Sequence, residues 1–98
     1  MFQIEETAPA TVSLDGRLDA AQSEYADNFL LQLSPGSLTL DLSGLEYISS
    51  AGLGVLLKTH KRLSAEGHVM TLSGVGTHLA DIFRYSGFDR LFTIARAE

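Results

Sequence analysis

The chain has 98 residues, a formal net charge of −5 and no cysteine. This length predicts one domain, residues 1–98, with a hydrophobic core of its own. The acidic balance argues against binding to nucleic acid, and the lack of cysteine excludes disulfides, zinc–thiolate sites and cysteine nucleophiles. The N-terminus does not resemble a secretory signal and no apolar stretch is long enough to enter and cross a membrane, so we expect a cytoplasmic protein.

Two short stretches of alternating apolar and polar residues open the chain and predict strands at residues 2–5 and 10–14. Gly16, Arg17, Leu18 and Asp19 then lead into a helix, for which aspartate is a favoured N-cap residue. The apolar residues of that helix recur at four-residue spacing, which predicts an inward-facing stripe. The expected stripe consists of Ala21, Tyr25, Phe29 and Leu33, with Ala26 and Leu30 beside it.

The middle of the chain predicts a strand, a long helix and another strand. Residues 37–42 place three leucines on one face of a strand. The helix is expected from about Ala51 to Ala65, with Gly67 as the residue that ends it, and residues 69–72 predict the next strand. The inner stripe expected for this helix consists of Leu53, Leu56, Leu57 and Leu63, whereas Lys58, Lys61 and Arg62 face mostly outward.

The last quarter of the chain predicts a helix that begins near Thr77 and stops by Gly87. Residues 91–94 predict either a short edge strand or a terminal segment that packs on the core. This order of elements is typical of an α/β fold with right-handed crossovers. We expect a mixed, mostly parallel sheet of four to five strands, with a first pair that can be antiparallel. About three helices would pack mainly on one face and leave the other partly open.

Two serines, Ser49 and Ser50, stand where a strand ends and the long helix begins. Serine is a favoured N-cap residue, so the simpler interpretation is that these hydroxyls only cap the helix. One serine is enough for a cap, however, and Gly52 and Gly54 each destabilise a helix by about 1 kcal/mol relative to alanine. Glycine lets another backbone approach closely, and a phosphate here would face the positive end of the helix dipole. The pattern therefore favours an exposed, modifiable hydroxyl within a docking surface over a catalyst.

Patterns for catalysis and cofactor binding are incomplete in this chain. A hydrolase nucleophile elbow needs glycine where Ile48 stands, and Gly74 and Gly76 lack the third glycine of a dinucleotide-binding loop. No cluster of histidine, aspartate and glutamate shows metal-ligand spacing. We therefore expect no catalytic residue, no metal and no cofactor. The basic residues of the long helix form either a solvated face or an extension of the docking surface.

Four segments resemble the STAS domain family, and in particular the bacterial anti-sigma factor antagonists. Residues 16–19 resemble the Gly-x-Leu-Asp segment that precedes the first helix of that family, and residues 40–48 resemble its central strand and loop. Residues 49–56 resemble its Asp-Ser-Ser-Gly-Leu-Gly switch, and residues 82–88 are similar to its closing helix and turn. The resemblance covers nearly the whole chain.

The resemblance implies a partner-switching regulator with its phosphoacceptor at Ser50. In that family the unmodified antagonist docks on a serine-kinase anti-sigma factor, which then releases its sigma factor. Phosphorylation by the kinase separates the complex, and a serine phosphatase of the metal-dependent type restores the binding form. The docking residues expected on this basis are Asp19, Ser49, Ala51, Gly52, Leu53, Gly54 and Lys58.

Two departures from the family pattern leave alternatives open. Ser49 stands where many antagonists have aspartate, and Ala51 stands where many have a second serine. Ser49 is therefore a rival phosphoacceptor. Some relatives act without phosphorylation, as stressosome-type scaffolds or as interaction subunits of lipid-transport ATPases, and such a role is the second hypothesis.

Overall fold

A computed structural model describes residues 1–96 of the chain. Within them lie five strands, three α-helices and one short 3₁₀ turn at Phe88–Arg90. The strands and helices are β1 (Phe2–Ala8), β2 (Thr11–Leu18), α1 (Ala20–Leu31), β3 (Leu38–Ile48), α2 (Ser50–Ala65), β4 (Met70–Val75), α3 (Thr77–Ser86) and β5 (Thr93–Arg96).

The five strands form one sheet in the order β1-β2-β3-β4-β5. Strand β1 is antiparallel to β2, and the other three pairs are parallel. This confirms the mixed, mostly parallel sheet, and β5 is an edge strand rather than only a packed terminal segment. Parallel neighbours need crossover connections, so α1, α2 and α3 follow β2, β3 and β4 respectively and all begin at the carboxyl edge of the sheet.

The core lies between the helices and one face of the sheet. Leu38, Leu40 and Leu42 alternate along β3 and are all buried, as their spacing predicts. The opposite face of the sheet is polar. There Thr39 of β3 is in register with Thr11 of β2 and with a threonine of β4. The helices therefore pack on one face only, as expected.

The apolar stripe predicted for α1 is correct for Ala26 and Leu30, which are buried, and wrong for Ala21 and Tyr25, which are exposed; Phe29 and Leu33 pack half-buried against the core. The residues of α1 that the structure buries are Ser23, Ala26 and Leu30, whereas Tyr25 is 54% exposed. The Ser23 hydroxyl donates to the carbonyl oxygen of Asp19 at 2.8 Å, so this polar side chain is satisfied within its own helix. A buried serine of this kind interrupts the apolar spacing on which the sequence prediction depends.

The inner face of α2 is also rotated from the predicted stripe. Leu56 and Leu63 are buried as expected, but Leu53 and Leu57 are only half-buried, and Thr59 takes a core position. The Thr59 hydroxyl donates to the carbonyl oxygen of Val55 at 2.9 Å. Here too a hydroxyl is satisfied four residues back along its helix, and the remaining methyl group packs as an apolar residue would.

The observed helix ends agree with the predicted ones more closely than the buried faces do. Gly67 follows α2 with φ +79°, and the amide of His68 donates to the carbonyl oxygen of Leu63 at 2.8 Å. This is the hydrogen-bond pattern of a glycine-terminated helix. Gly87 ends α3 in the same left-handed conformation, with φ +80°.

Strand β3 extends six residues beyond its predicted end at Leu42 and reaches Ile48. The pairing of β2 with β3 shifts register at Asp15, which lies over Gly44 and fills the space that a side chain at that position would need. A second register shift follows between Gly16 and Arg17, and the pairing then continues to Leu18 and Ile48. The extension brings the ends of β2 and β3 to the same level, directly before α1 and α2.

Candidate functional site

The candidate site lies at the carboxyl edge of the sheet, where two helices start side by side. Leu18 and Ile48 are partners at the ends of β2 and β3. The amide of Ser49 donates to the carbonyl oxygen of Leu18 at 2.9 Å and links the two chain segments. Asp19 and Ser49 are the N-cap residues of α1 and α2. The starts of both helices are therefore fixed relative to each other by the sheet.

Ser49 is the hydroxyl that caps α2. Its side-chain oxygen accepts a hydrogen bond from the amide of Gly52 at 3.1 Å, and its carbonyl oxygen accepts one from the amide of Leu53 at 2.8 Å. The residue is half-buried. These are the contacts of an ordinary serine cap, which contributes about 1 kcal/mol to helix stability.

Ser50 has a different environment from its neighbour. It is the first residue of α2 and is exposed. Among the side-chain hydrogen bonds within residues 1–96, none engages the Ser50 hydroxyl. The fold therefore uses one serine as a cap and leaves the other at the surface, next to the amide groups at the positive end of the helix dipole.

The two glycines near the start of α2 also have different environments. A Cβ atom on Gly52 would lie 2.8 Å from Cγ1 of Ile48 and 2.9 Å from the carbonyl oxygen of Leu18, and Gly52 is buried. Gly52 therefore lets α2 pack closely on the strand ends. A Cβ atom on Gly54 would meet nothing within 4 Å, and Gly54 is exposed. The absence of a side chain at Gly54 serves no contact within the described part of the fold.

Asp19 caps α1 and also lies at the edge of the sheet where Ser50 is exposed. Its carboxylate accepts a hydrogen bond from the amide of Gln22 at 3.1 Å, as the predicted cap of α1 should, and the residue is half-buried. Because this carboxylate lies at the same edge of the sheet as Ser50, it stands beside the serine site while it stabilises α1.

Comparison with known proteins identifies the family of the chain. The family model described as "Mlab, STAS domain" matches residues 2–94. The chain belongs to the STAS domain family. This STAS domain is 34% identical over 87 residues to "Putative anti-sigma factor antagonist BtrV" of Bordetella bronchiseptica, in a match that spans 86% of the chain and 75% of BtrV.

Two solved structures of anti-sigma factor antagonists share the fold of this STAS domain. The crystal structure of an antagonist from Mycobacterium paratuberculosis superimposes with a TM-score of 0.81 at 23% identity, over 99% of this chain and 86% of that one. The phosphorylated form of the Bacillus cell fate determinant SpoIIAA superimposes with a TM-score of 0.69 at 20% identity, over 98% of this chain and 92% of that one.

The outer face of α2 continues from Ser50 and carries three of the seven basic residues of this STAS domain. The ammonium group of Lys58 lies 2.8 Å from a carboxylate oxygen of Asp27 on α1. The guanidinium group of Arg62 donates to the carbonyl oxygen of Leu30 at 3.5 Å. Sequence reasoning missed Asp27, because it lies on another helix, 31 residues from Lys58, and no local spacing connects the two.

The remaining expected docking residues lie around the start of α2. Ala51 is exposed, and Leu53 is half-buried against the core. Together with Ser50 and Gly54 they form a surface over the first two turns of α2 on which Leu53 has the one large side chain. We call the residues Ser50, Ala51, Leu53 and Gly54 the serine surface.

The residues that the structure describes offer this surface no metal centre, and the histidine of α2 is directed into the core. Within residues 1–96 no group of histidine, aspartate and glutamate side chains has the geometry to hold a metal ion. His60 packs edge-to-face on Phe92 with 5.7 Å between ring centroids, and its Nδ1 atom is buried without a hydrogen-bond partner. No helix among these residues has the length and apolar character needed to cross a bilayer.

Proposed function

We propose that this STAS domain is an anti-sigma factor antagonist whose binding is controlled by phosphorylation of Ser50. The division of roles between the two serines carries the proposal. The fold uses Ser49 as its helix cap and leaves the Ser50 hydroxyl exposed and without an internal partner. Identity of 34% to BtrV, which bears an antagonist's name, supports the same function.

The unmodified domain would dock through the serine surface onto a serine-kinase anti-sigma factor, which then releases its sigma factor. Because Gly54 has no side chain and is exposed, a partner backbone can approach the axis of α2 closely there. Asp19 and Lys58 flank this surface on the side of α1. Gly52 and Ser49 act by positioning the first turn rather than through their own exposed atoms.

The switching step transfers a phosphoryl group from the partner's ATP to Ser50. A bond forms between the Ser50 oxygen and the γ-phosphorus as the bond to the ADP oxygen breaks, and the hydroxyl proton passes to a base of the kinase. The kinase supplies the nucleotide and magnesium. The STAS domain contributes the hydroxyl and has no catalytic residue or cofactor of its own in this scheme.

The phosphate acts on the complex rather than on the fold. It adds about 1.5 to 2 negative charges at pH 7. At the first residue of a helix such a charge is favoured by about 0.3–1 kcal/mol, so the domain stays folded. Within a closely packed interface the same charge and bulk separate the partners. A metal-dependent serine phosphatase would hydrolyse the ester and restore the hydroxyl, and we place this cycle in the cytoplasm.

Ser50 is the proposed acceptor rather than Ser49 because the Ser49 oxygen is engaged with the amide of Gly52. Mass spectrometry after incubation with the kinase and ATP separates the two sites. Ser50→Ala should abolish phosphorylation, whereas Ser49→Ala should retain it on Ser50. Phosphate found on Ser49 in the wild-type protein would contradict the assignment.

The binding test is Ser50→Asp, measured against the serine-kinase anti-sigma factors of the source organism. We expect the affinity for the cognate factor to fall at least tenfold, about 1.4 kcal/mol, with no loss of thermal stability. Ser34→Asp is the matched control, since it adds the same charge at an exposed site in the segment between α1 and β3, at the opposite edge of the sheet from Ser50. Unchanged affinity of Ser50→Asp, or equal losses in both variants, would refute the proposed switch.

A constitutive interaction subunit is the second candidate. It is favoured by the residue type at position 49, where this chain has serine and many antagonists have aspartate. Such a subunit, for example one belonging to a lipid-transport ATPase or a stressosome-type scaffold, would bind its partner equally well with Ser50→Ala and Ser50→Asp. The same titration therefore separates the two functions.

A further inference from the structure

Charge is unevenly distributed between α2 and the rest of the chain. Helix α2 contains Lys58, Lys61 and Arg62 and no aspartate or glutamate, which gives it a formal charge of +3. The whole chain has 7 basic and 12 acidic residues. The residues outside α2 therefore hold 4 basic and all 12 acidic residues, a formal charge of −8. The helix that begins at Ser50 is a basic element in an acidic protein.

Two of these three cations are engaged with α1. Lys58 pairs with Asp27 at 2.8 Å, and Arg62 donates to the carbonyl oxygen of Leu30 near the C-terminal end of α1. Lys61 is exposed, and no salt bridge within residues 1–96 involves it. Lys61 is therefore the cation of α2 that is available to another molecule.

Lys61 lies on the same side of α2 as Ser50. The two residues are 11 positions apart, which is about three helical turns and about 16 Å along the axis. Gly54 lies near the same line, one turn from Ser50, and has no side chain. No acidic residue of α2 interrupts this line. A partner that covers Ser50 and extends along the helix axis reaches Lys61.

We propose that the partner of the serine surface presents an acidic surface along α2, with a carboxylate opposite Lys61 at about 16 Å from the phosphoacceptor. This inference rests on the proposed function and adds the partner's chemistry and orientation. The formal charge of −8 on the residues outside α2 repels an acidic partner surface, and the charge of +3 on α2 attracts it. The two effects together orient the encounter. A phosphate on Ser50 then also slows association with the acidic partner, because it lowers the formal charge of the helix from +3 to about +1.

Association rates test this orientation, because charges at the rim of an interface mainly change the rate of encounter. We would measure the association rate with the anti-sigma factor that binds the wild-type domain, at 50 mM and 300 mM NaCl. Lys61→Glu should slow association about tenfold at the lower salt concentration, and screening should reduce this difference at the higher one. Asp27→Asn, which releases Lys58 from its ion pair, should accelerate association.

Arg90→Glu is the matched control. It makes the same change in net charge at an exposed position in the 3₁₀ turn, outside α2. It should alter the rate less than twofold. Equal slowing by Lys61→Glu and Arg90→Glu would show that only total charge matters and would overturn the inference, as would faster association of Lys61→Glu. A wild-type domain that binds no anti-sigma factor would refute the proposed function and this inference with it, whereas normal binding that is insensitive to Lys61 refutes the inference alone.

Discussion

Alanine substitutions at the two glycines of α2 should change stability in opposite directions. At Gly54 a methyl group meets nothing within 4 Å, so Gly54→Ala adds no steric conflict. The substitution removes the glycine penalty of an exposed helix position, about 1 kcal/mol. For a domain of this size we expect the melting temperature to rise by about 4–8 °C.

At Gly52 the same methyl group meets the core. It would lie 2.8 Å from Cγ1 of Ile48 and 2.9 Å from Cγ and from the carbonyl oxygen of Leu18. That carbonyl also accepts the amide of Ser49, so it is not free to move. Overpacking of this kind costs about 1–3 kcal/mol. After the gain of about 1 kcal/mol in helix propensity, Gly52→Ala should be less stable than wild type by up to about 2 kcal/mol.

Urea unfolding followed by circular dichroism measures both free energies of unfolding. The midpoint should rise for Gly54→Ala and fall for Gly52→Ala, with the slope m unchanged in both. A lower midpoint for Gly54→Ala at constant m would refute the argument, because it would mean that the space above Gly54 is filled in the folded protein. Equal shifts in both variants would refute the distinction between a packing glycine and a surface glycine.

The stabilised variant should nevertheless bind its partner less well. If the bare backbone at Gly54 is kept for docking, the added methyl group of Gly54→Ala should weaken binding to the anti-sigma factor at least tenfold, about 1.4 kcal/mol. Ser64→Ala, at an exposed position of the same helix, is the control and should change neither quantity appreciably. Undiminished affinity in Gly54→Ala would remove Gly54 from the docking surface.

Two further predictions concern stability. Ser49→Ala should lower the free energy of unfolding by about 1 kcal/mol, because the amide of Gly52 loses its cap. Ser50→Ala should leave the free energy of unfolding within about 0.5 kcal/mol of wild type, because it changes an exposed surface residue. Equal losses in the two variants, measured by chemical denaturation, would contradict the separate roles of the two serines. His60→Phe should raise the melting temperature, because it keeps an aromatic ring against Phe92 and removes a buried Nδ1 atom that lacks a partner, a defect that costs about 1–3 kcal/mol. A lower melting temperature for His60→Phe would show that the nitrogen is satisfied in solution.

The features that the sequence predicted correctly depend on residues close together in the chain. The cap at Asp19 is a hydrogen bond across three positions, and the glycine ends at Gly67 and Gly87 follow from backbone conformations that other residues rarely adopt. The alternation of Leu38, Leu40 and Leu42 predicts a buried strand face without reference to what covers it. The order and type of the elements then predict a mixed, mostly parallel sheet.

The sequence failed where a polar side chain is satisfied in the core. Ser23 and Thr59 take buried positions because each donates to a carbonyl oxygen four residues back. Their hydroxyls are indistinguishable in the sequence from those of exposed residues. The apolar stripes predicted for α1 and α2 were therefore rotated away from the true inner faces, and Tyr25 was assigned to the core although it is exposed.

By itself, the sequence determined that a serine pair stands at a helix start on small residues, because capping and glycine preferences operate within one turn. Only the tertiary structure decided that Ser49 caps the helix and Ser50 is exposed. It also decided that Gly52 packs on the core while Gly54 faces solvent, and that Lys58 is already paired. Those outcomes depend on Leu18, Ile48 and Asp27, which reach the site from β2, β3 and α1. These roles are determined by contacts between helices and strands that are distant in the sequence, and no local pattern encodes such contacts.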